Sequence, residues 1–176
     1  MSNQININHS WITDPLIHAK IEKMYGSNDG ECDSPCAMCK YPLEDVSRSY
    51  LIPVNPDTNE VDVKSTSVSY ICGMCYKSIF VHNYNLNYDG DDRILYLPEL
   101  SQAELNHIYN WIYSKSTNTG SLQKKEVYSE IMSQTSRMKN EGGVDLGNPG
   151  YFCYLYRNNL NIDKNDFTDL KFIPKL

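Results

Sequence analysis

The alternation of apolar and polar residues predicts a helix near the start of the chain. In TDPLIHAKIEKMYG (13–26), Thr13 or Asp14 can cap a helix that begins at Pro15 and ends before Gly26. The apolar residues that fall on one side of this helix, and would pack on a core, are Leu16, Ile17, Ile21 and Met24. Residues 27–35 are rich in Ser, Asn, Asp, Gly and Pro, and this composition predicts a loop.

Short strands are predicted in the middle of the chain. SYLIPV (49–54) and VSYI (68–71) are separated by Asn, Pro, Asp and Thr turn residues, which indicates an irregular hairpin. A further strand is predicted in RILYLP, which Pro98 ends. The segment YKSIFV (76–81) fits a helix and a strand equally well.

The C-terminal half is predicted to be mainly helical. Ser101 and Glu104 form a capping box, so a helix should start there, with His107 on its solvent side and Trp111 at the edge of its apolar stripe. That stripe consists of Leu105, Ile108, Tyr109 and Ile112.

Two further helices follow in the prediction. The expected core face of the first, within 122–140, consists of Val127, Tyr128, Ile131, Thr135 and Met138, with Gly142 and Gly143 ending the helix. Asn148 and Pro149 are expected to form the N-cap and first turn of a helix in GYFCYLYRNNL (150–160). A polar tail to Leu176 should follow it.

Length and charge limit the class of protein. The 176 residues fit a single domain (1–176), made of an N-terminal helix and loop (1–30), a part with two cysteine pairs and the hairpin (31–100) and a helical part (101–176). The formal net charge of -6 disfavours binding to nucleic acid. Because neither a membrane span nor a signal peptide is visible, we expect a cytoplasmic protein.

Two cysteine pairs carry the strongest chemical signal. Cys36, Cys39, Cys72 and Cys75 form C-x2-C, a gap of 32 residues and a second C-x2-C, which is the spacing of two zinc knuckles. Four thiolates would fill a tetrahedral zinc ion and leave no position for water, so the predicted Zn²⁺ is structural. In a cytoplasmic protein, such pairs indicate metal binding more than disulfides.

Three other residues leave alternatives open. Cys32 could replace Cys36 in the first pair, and His82 could act as a substitute ligand. Cys153 lies among aromatic residues, where a thiol usually behaves as a small buried apolar group.

A nuclease of the ββα-metal (HNH) type is the main enzymatic alternative. Such enzymes need histidines on the hairpin between the knuckles, but Asn55, Pro56 and Asp57 stand there, and the chain has no histidine between Cys39 and Cys75. The acidic residues of DGDDR (89–93) are typical of a solvated turn. No catalytic residues are therefore predicted.

The run ILYLPELSQAELNHI (94–108), placed after the two cysteine pairs, resembles the DotN/IcmJ family of the type IVB (Dot/Icm) secretion machinery and its conjugative relatives. The resemblance covers about residues 34–154, and Cys36, Cys39, Cys72 and Cys75 match the family's zinc-binding pattern. It implies an α+β fold with a zinc-stabilised, HNH-like (treble-clef or ββα) core and additional helices.

The resemblance also implies a non-enzymatic adaptor. In that family the protein binds the C-terminal extension of the type IV coupling ATPase beside chaperone-like subunits, and is held at the cytoplasmic face of the inner membrane through this partner. The 14 tyrosines, with Trp11 and Trp111, suit a protein interface. An HNH-type nuclease and a nucleic-acid-binding zinc domain remain the alternatives.

Overall fold

The structure is a computed structural model, which describes residues 15–25, 27–28, 34–43, 49–58, 60–80, 84, 89–113, 121–134, 145, 147–158 and 169–173. In these ranges the elements are, in chain order, α1 (Pro15–Met24), β1 (Ser27–Asn28), β2 (Ser49–Pro53), β3 (Val68–Cys72), α2 (Gly73–Ile79), β4 (Arg93–Tyr96), α3 (Gln102–Tyr113), α4 (Ser121–Ser133), α5 (Pro149–Asn158) and β5 (Leu170–Ile173). The fold is thus a mixture of helices and small antiparallel sheets, which confirms the α+β class.

The predicted hairpin is confirmed as β2 and β3. The two strands pair in antiparallel fashion with Leu51 opposite Tyr70, and β1 adds to the other edge of β2. The loop between them is held by a bridge between Val54 and Val61 and by Ser65, whose hydroxyl donates to the Val54 carbonyl at 2.7 Å. Residues 27–28, predicted as loop, therefore form a short edge strand.

The segment YKSIFV, whose sequence fits a helix and a strand equally well, is helical as far as Ile79. Helix α2 follows β3 directly, with Cys72 as its N-cap and Ile79 as its last residue. Its buried side chains, Met74 and Ile79 among them, belong to the main core. A strand immediately followed by a helix holds the second cysteine pair at the end of the sheet.

The prediction of a polar tail is wrong for residues 170–173. These residues form β5, which pairs in antiparallel fashion with the predicted strand β4, so that Ile94 lies opposite Phe172. Phe172 is fully buried and packs with Ile94, Phe152 and Cys153 in a second apolar cluster. Four residues are too few to show a periodic signal, and the partner strand is distant in the chain.

Helix α1 begins at Pro15 as predicted, but its expected core face is only partly right. Ile21 is buried, whereas Leu16 and Met24 are 77% and 51% exposed. The buried face instead includes His18, whose Nε2 lies 3.1 Å from the Tyr76 hydroxyl. Because imidazole has an apolar face and a polar edge, it can occupy a core position once a partner satisfies the edge.

Helix α3 also presents a different face from the one predicted. The capping box is confirmed, since the Ser101 N–H donates to Glu104 at 2.8 Å and the Glu104 N–H donates to the Ser101 hydroxyl at 3.1 Å. The buried residues, however, are Gln102, Leu105, Asn106, Tyr109 and Asn110. Ile108 and Ile112 are only partly buried, so the core face is turned towards the polar side by roughly a fifth of a turn.

The last two helices agree with the predictions where they can be compared. In α4, Ile131 is buried, and Val127 and Tyr128 pack partly against the core. Asn148 caps α5 by accepting from the N–H groups of the first turn. The remaining predicted positions of these segments, Thr135, Met138, Gly142 and Gly143, lie outside the described residues.

Within the described ranges, no helix combines the length and the apolar character needed to cross a membrane.

Candidate metal centre

The two cysteine pairs meet in the core. The four sulfur atoms all lie within 4.8 Å of one another, with Cys36 Sγ 3.6 Å from Cys75 Sγ and Cys39 Sγ 3.8 Å from Cys72 Sγ. All four are free thiols and are buried. A tetrahedron with metal–sulfur bonds of about 2.3 Å has sulfur–sulfur edges of about 3.8 Å. The cluster therefore has the dimensions of a four-thiolate site and could hold a metal ion.

The first knuckle is a tight turn. The Lys40 N–H donates to the Cys36 carbonyl at 2.9 Å, and the Cys36 N–H donates to the Tyr41 carbonyl at the same distance. Lys40 has a φ of 63°, the left-handed conformation that reverses the chain after the second cysteine. The Ala37 N–H donates to the Tyr70 carbonyl at 2.9 Å and so fastens the turn to the edge of β3.

The second knuckle lies at the junction of β3 and α2. The backbone N–H of Cys72 donates to Cys36 Sγ at 3.3 Å, and the N–H of Cys75 donates to Cys72 Sγ at 3.5 Å. Thus the backbone that turns from strand to helix also supplies hydrogen bonds to sulfurs of both pairs. These bonds favour the thiolate form that a metal requires.

Helix α3 supplies further contacts that the sequence analysis missed. Asn110 donates from Nδ2 to Cys72 Sγ at 3.1 Å and to Cys39 Sγ at 3.8 Å, and Asn106 donates from Nδ2 to Cys75 Sγ at 3.3 Å. Gln102, one turn earlier, donates to Asn106 Oδ1 at 2.9 Å. The signal in the sequence is three carboxamides spaced four residues apart, which places them on one helix face.

His107 contacts the first knuckle, although the sequence analysis expected it to point to solvent. Its side chain is exposed, but Nδ1 lies 3.0 Å from the Cys39 carbonyl, and its ring meets the ring of Tyr41 edge to face at 5.2 Å. Because a carbonyl only accepts, Nδ1 must carry the hydrogen. His107 thus supports the turn that presents Cys39.

Mutual hydrogen bonds and burial shift the pKa values of the cysteine thiols in opposite directions. Hydrogen bonds from Cys39, Cys72 and Cys75 hold the pKa of Cys36 far below its usual value. The hydrogen bond with Cys36 raises the pKa of Cys72, and burial raises the pKa of Cys75. A negative charge on one buried thiol therefore disfavours ionisation of the next thiol, and a bound divalent ion would offset this repulsion.

The other residues considered from the sequence lie in the hairpin loop, in the second apolar cluster or outside the described residues. On the hairpin loop, Asn55 Oδ1 accepts from the Asp57 N–H at 2.9 Å, which is a turn-forming bond, and Asp57 is exposed. Cys153 is buried in the second apolar cluster, as expected. Cys32 and His82 lie outside the described residues, so their alternatives remain predictions.

Fold and site together define a small α+β protein built around a buried cluster of four cysteines. No family model matches the chain. A curated relative, "Type 4 apparatus protein DotN" from Legionella pneumophila, is 23% identical over 145 residues, which is 79% of this chain and 66% of that protein. The chain thus spans just under two thirds of that relative's length. This similarity confirms the resemblance to the DotN/IcmJ family, as a distant one.

Proposed function

We propose that Cys36, Cys39, Cys72 and Cys75 bind one structural Zn²⁺. Tetrahedral sulfur sites suit zinc, and all four positions would be taken by protein thiolates, so no substrate or water could reach the ion. The burial of all four sulfurs supports this role, since the ion would connect the first knuckle, the hairpin and α2 from inside.

The core is then of the HNH-like, treble-clef type. The order of elements supports this assignment: a knuckle, two antiparallel strands and a helix whose N-cap and first turn hold the second cysteine pair. In such a fold the metal replaces part of the apolar core that a short hairpin and a short helix cannot form alone. We take residues 1–176 as one zinc-binding domain.

The protein acts as a non-enzymatic adaptor of a type IVB secretion coupling complex. It binds the C-terminal region of the coupling ATPase, with its chaperone-like subunits, and so helps to assemble the substrate receptor at the cytoplasmic face of the inner membrane. The observation that carries this proposal is the similarity to a type 4 apparatus protein over 79% of the chain. The saturated cysteine cluster agrees with it, because such a centre offers no site for catalysis.

The face formed by α3 and α4 is where we expect the ATPase tail to bind. Trp111 is partly buried there, with Lys124 Nζ 5.5 Å from its ring centroid. The same two helices also carry exposed apolar side chains at other positions, Tyr113 at 47% and Leu122 at 70%. Apolar anchors of this kind bind amphipathic or extended peptide segments.

Calorimetry of the zinc-loaded chain with a peptide from the C-terminal region of the coupling ATPase tests the proposal. Binding should change only modestly between low and high salt, because apolar contacts dominate it. Leu122→Asp should weaken binding, whereas the matched Leu16→Asp, at another exposed leucine on α1, should not. Absence of binding to the peptide, with tight and salt-sensitive binding to DNA or RNA, would reject the adaptor function.

The nuclease alternative is tested with plasmid DNA. With magnesium, manganese or nickel added, we expect no cleavage, because no histidine lies between Cys39 and Cys75 to activate water. Metal-dependent cleavage that Asp57→Asn abolishes would favour the nuclease instead.

A further inference from the structure

The sulfur cluster raises a charge problem that the cysteines themselves do not solve. Four thiolates around a divalent ion leave two negative charges uncompensated in a buried site. In the described part of the chain, the hydrogen bonds to the sulfurs from outside the cluster come from neutral N–H groups. Those N–H groups therefore supply much of the stabilisation of the excess negative charge on the sulfurs.

The N–H groups are distributed so that every sulfur accepts at least one. Backbone N–H groups serve Cys36 and Cys72, at 3.3 Å and 3.5 Å. Cys75 and Cys39 receive theirs from Asn106 and Asn110 of α3, at 3.3 Å and 3.8 Å. Helix α3, which carries none of the ligands, thus completes a set that the backbone covers only in part.

Asn110 is the more specific of the two asparagines. Its amide is buried, and the hydrogen bonds that the structure gives it both go to sulfur: Cys72 of the second knuckle and Cys39 of the first. Since thiolates only accept, the Nδ2 side of the amide must face the cluster. One carboxamide therefore bridges the two halves of the centre.

Asn106 has a fixed orientation as well. Its Oδ1 accepts from Gln102 at 2.9 Å, while Nδ2 donates to Cys75 Sγ and, at 3.0 Å, to the Ser78 hydroxyl. This partner on the oxygen side leaves Nδ2 to donate to Cys75 of the cluster and to Ser78. Gln102 therefore fixes which side of the Asn106 amide faces Cys75.

We propose that Asn106 and Asn110 are positioning residues of the metal centre, which hold the sulfurs in place by N–H···S bonds and reduce their negative charge. Helix α3 thereby sets how tightly the four-cysteine site holds its ion. The inference rests on the proposed metal binding, and it adds residues that no ligand pattern identifies.

The test compares metal binding by the wild-type chain and by Asn110→Leu, which keeps nearly the same shape but has no donor. Removing a hydrogen-bonding partner of a ligand typically weakens metal binding about 10- to 100-fold, so we expect a loss in that range in competition with a chelator. With Co²⁺ as the probe, the sulfur-to-cobalt charge-transfer band should move to longer wavelength, because an unbonded thiolate gives up its electrons more easily.

Leu105→Ala is the matched control. Leu105 is fully buried on the same helix and makes no hydrogen bond to sulfur, so its truncation should destabilise the fold without moving the cobalt band. A folded Asn110→Leu chain with the wild-type band and wild-type affinity would overturn the role of Asn110. Failure of the wild-type chain to bind zinc or cobalt would instead refute the metal centre itself.

A second measurement needs no variant. In the wild-type chain loaded with an NMR-active cadmium isotope, an N–H···S bond transmits scalar coupling from the metal to the amide protons. Coupling to the Asn110 side-chain amide is expected from its 3.1 Å contact with Cys72. Its absence, in a spectrum that shows coupling to the backbone N–H of Cys72 through Cys36, would also overturn the proposal.

Discussion

Gln102 joins the half of the molecule that contains the cysteine cluster to its C-terminal strand. Its Nε2 donates to the Phe172 carbonyl at 2.7 Å, and its Oε1 accepts from the Phe172 N–H at 2.7 Å. The side-chain amide thus pairs with the outer edge of β5 as a neighbouring strand would. It also donates to Asn106, which in turn contacts Cys75.

The substitution Gln102→Leu should therefore be costly. It keeps the volume but leaves the buried N–H and carbonyl of Phe172 without their partner. Each orphaned buried group costs about 1–3 kcal/mol, so we expect the free energy of unfolding to fall by about 3 kcal/mol after partial rehydration. For a chain of this size, that loss lowers Tm by about 6–12 °C.

Urea unfolding of the zinc-loaded protein gives the magnitude, and hydrogen exchange at residues 170–173 gives the location. The matched control is Gln123→Leu at an exposed position of α4, which should change the stability by less than about 0.5 kcal/mol. Equal stability of Gln102→Leu and the wild-type chain, with unchanged exchange at β5, would refute the proposed edge pairing.

Two further substitutions separate the metal centre from the second apolar cluster. The Cys75→Ser chain should contain no zinc by elemental analysis and should melt at a far lower temperature, because a structural zinc site contributes on the order of 10 kcal/mol to folding. The control is Cys153→Ser, and an equal zinc content in the two variants would contradict this prediction. Phe172→Ala should lower the free energy of unfolding, measured by urea unfolding, by about 3–5 kcal/mol, because Phe172 is fully buried. This variant should retain its zinc, and loss of the metal would show that the two clusters do not act separately.

Local signals were sufficient for the parts of the fold that depend on neighbours in the chain. The Ser101–Glu104 capping box and the cap at Asn148 depend on residues within a few positions, and the hairpin joins two extended segments on either side of a loop rich in turn residues (54–67); all three are confirmed. The cysteine spacing likewise predicts a cluster, because each C-x2-C pair is a local turn. Only the approach of one pair to the other needs the tertiary fold.

Long-range pairing and buried polar residues explain the errors. Strand β5 is stabilised by β4 and by Gln102, and neither partner is near it in the sequence. On α3, a rule that assigns apolar residues to the core could not select Asn106 or Asn110, whose burial depends on sulfurs from other elements. His18 is buried for the same reason, because Tyr76 satisfies its polar edge.

The segment LPELSQAELN (97–106) lies within the run that resembles the DotN/IcmJ family, and its polar residues have a physical role. Pro98 follows strand β4, the capping box starts α3, and Gln102 and Asn106 then reach β5 and the sulfur cluster. Nearly every polar residue in the segment thus has a specific partner. A chain with the same apolar pattern but without Gln102 and Asn106 could still form this helix, yet it would lack the bonds that fix the helix against the C-terminal strand and the second cysteine pair. A change of these polar residues would therefore alter the connection between the cysteine cluster and the rest of the fold.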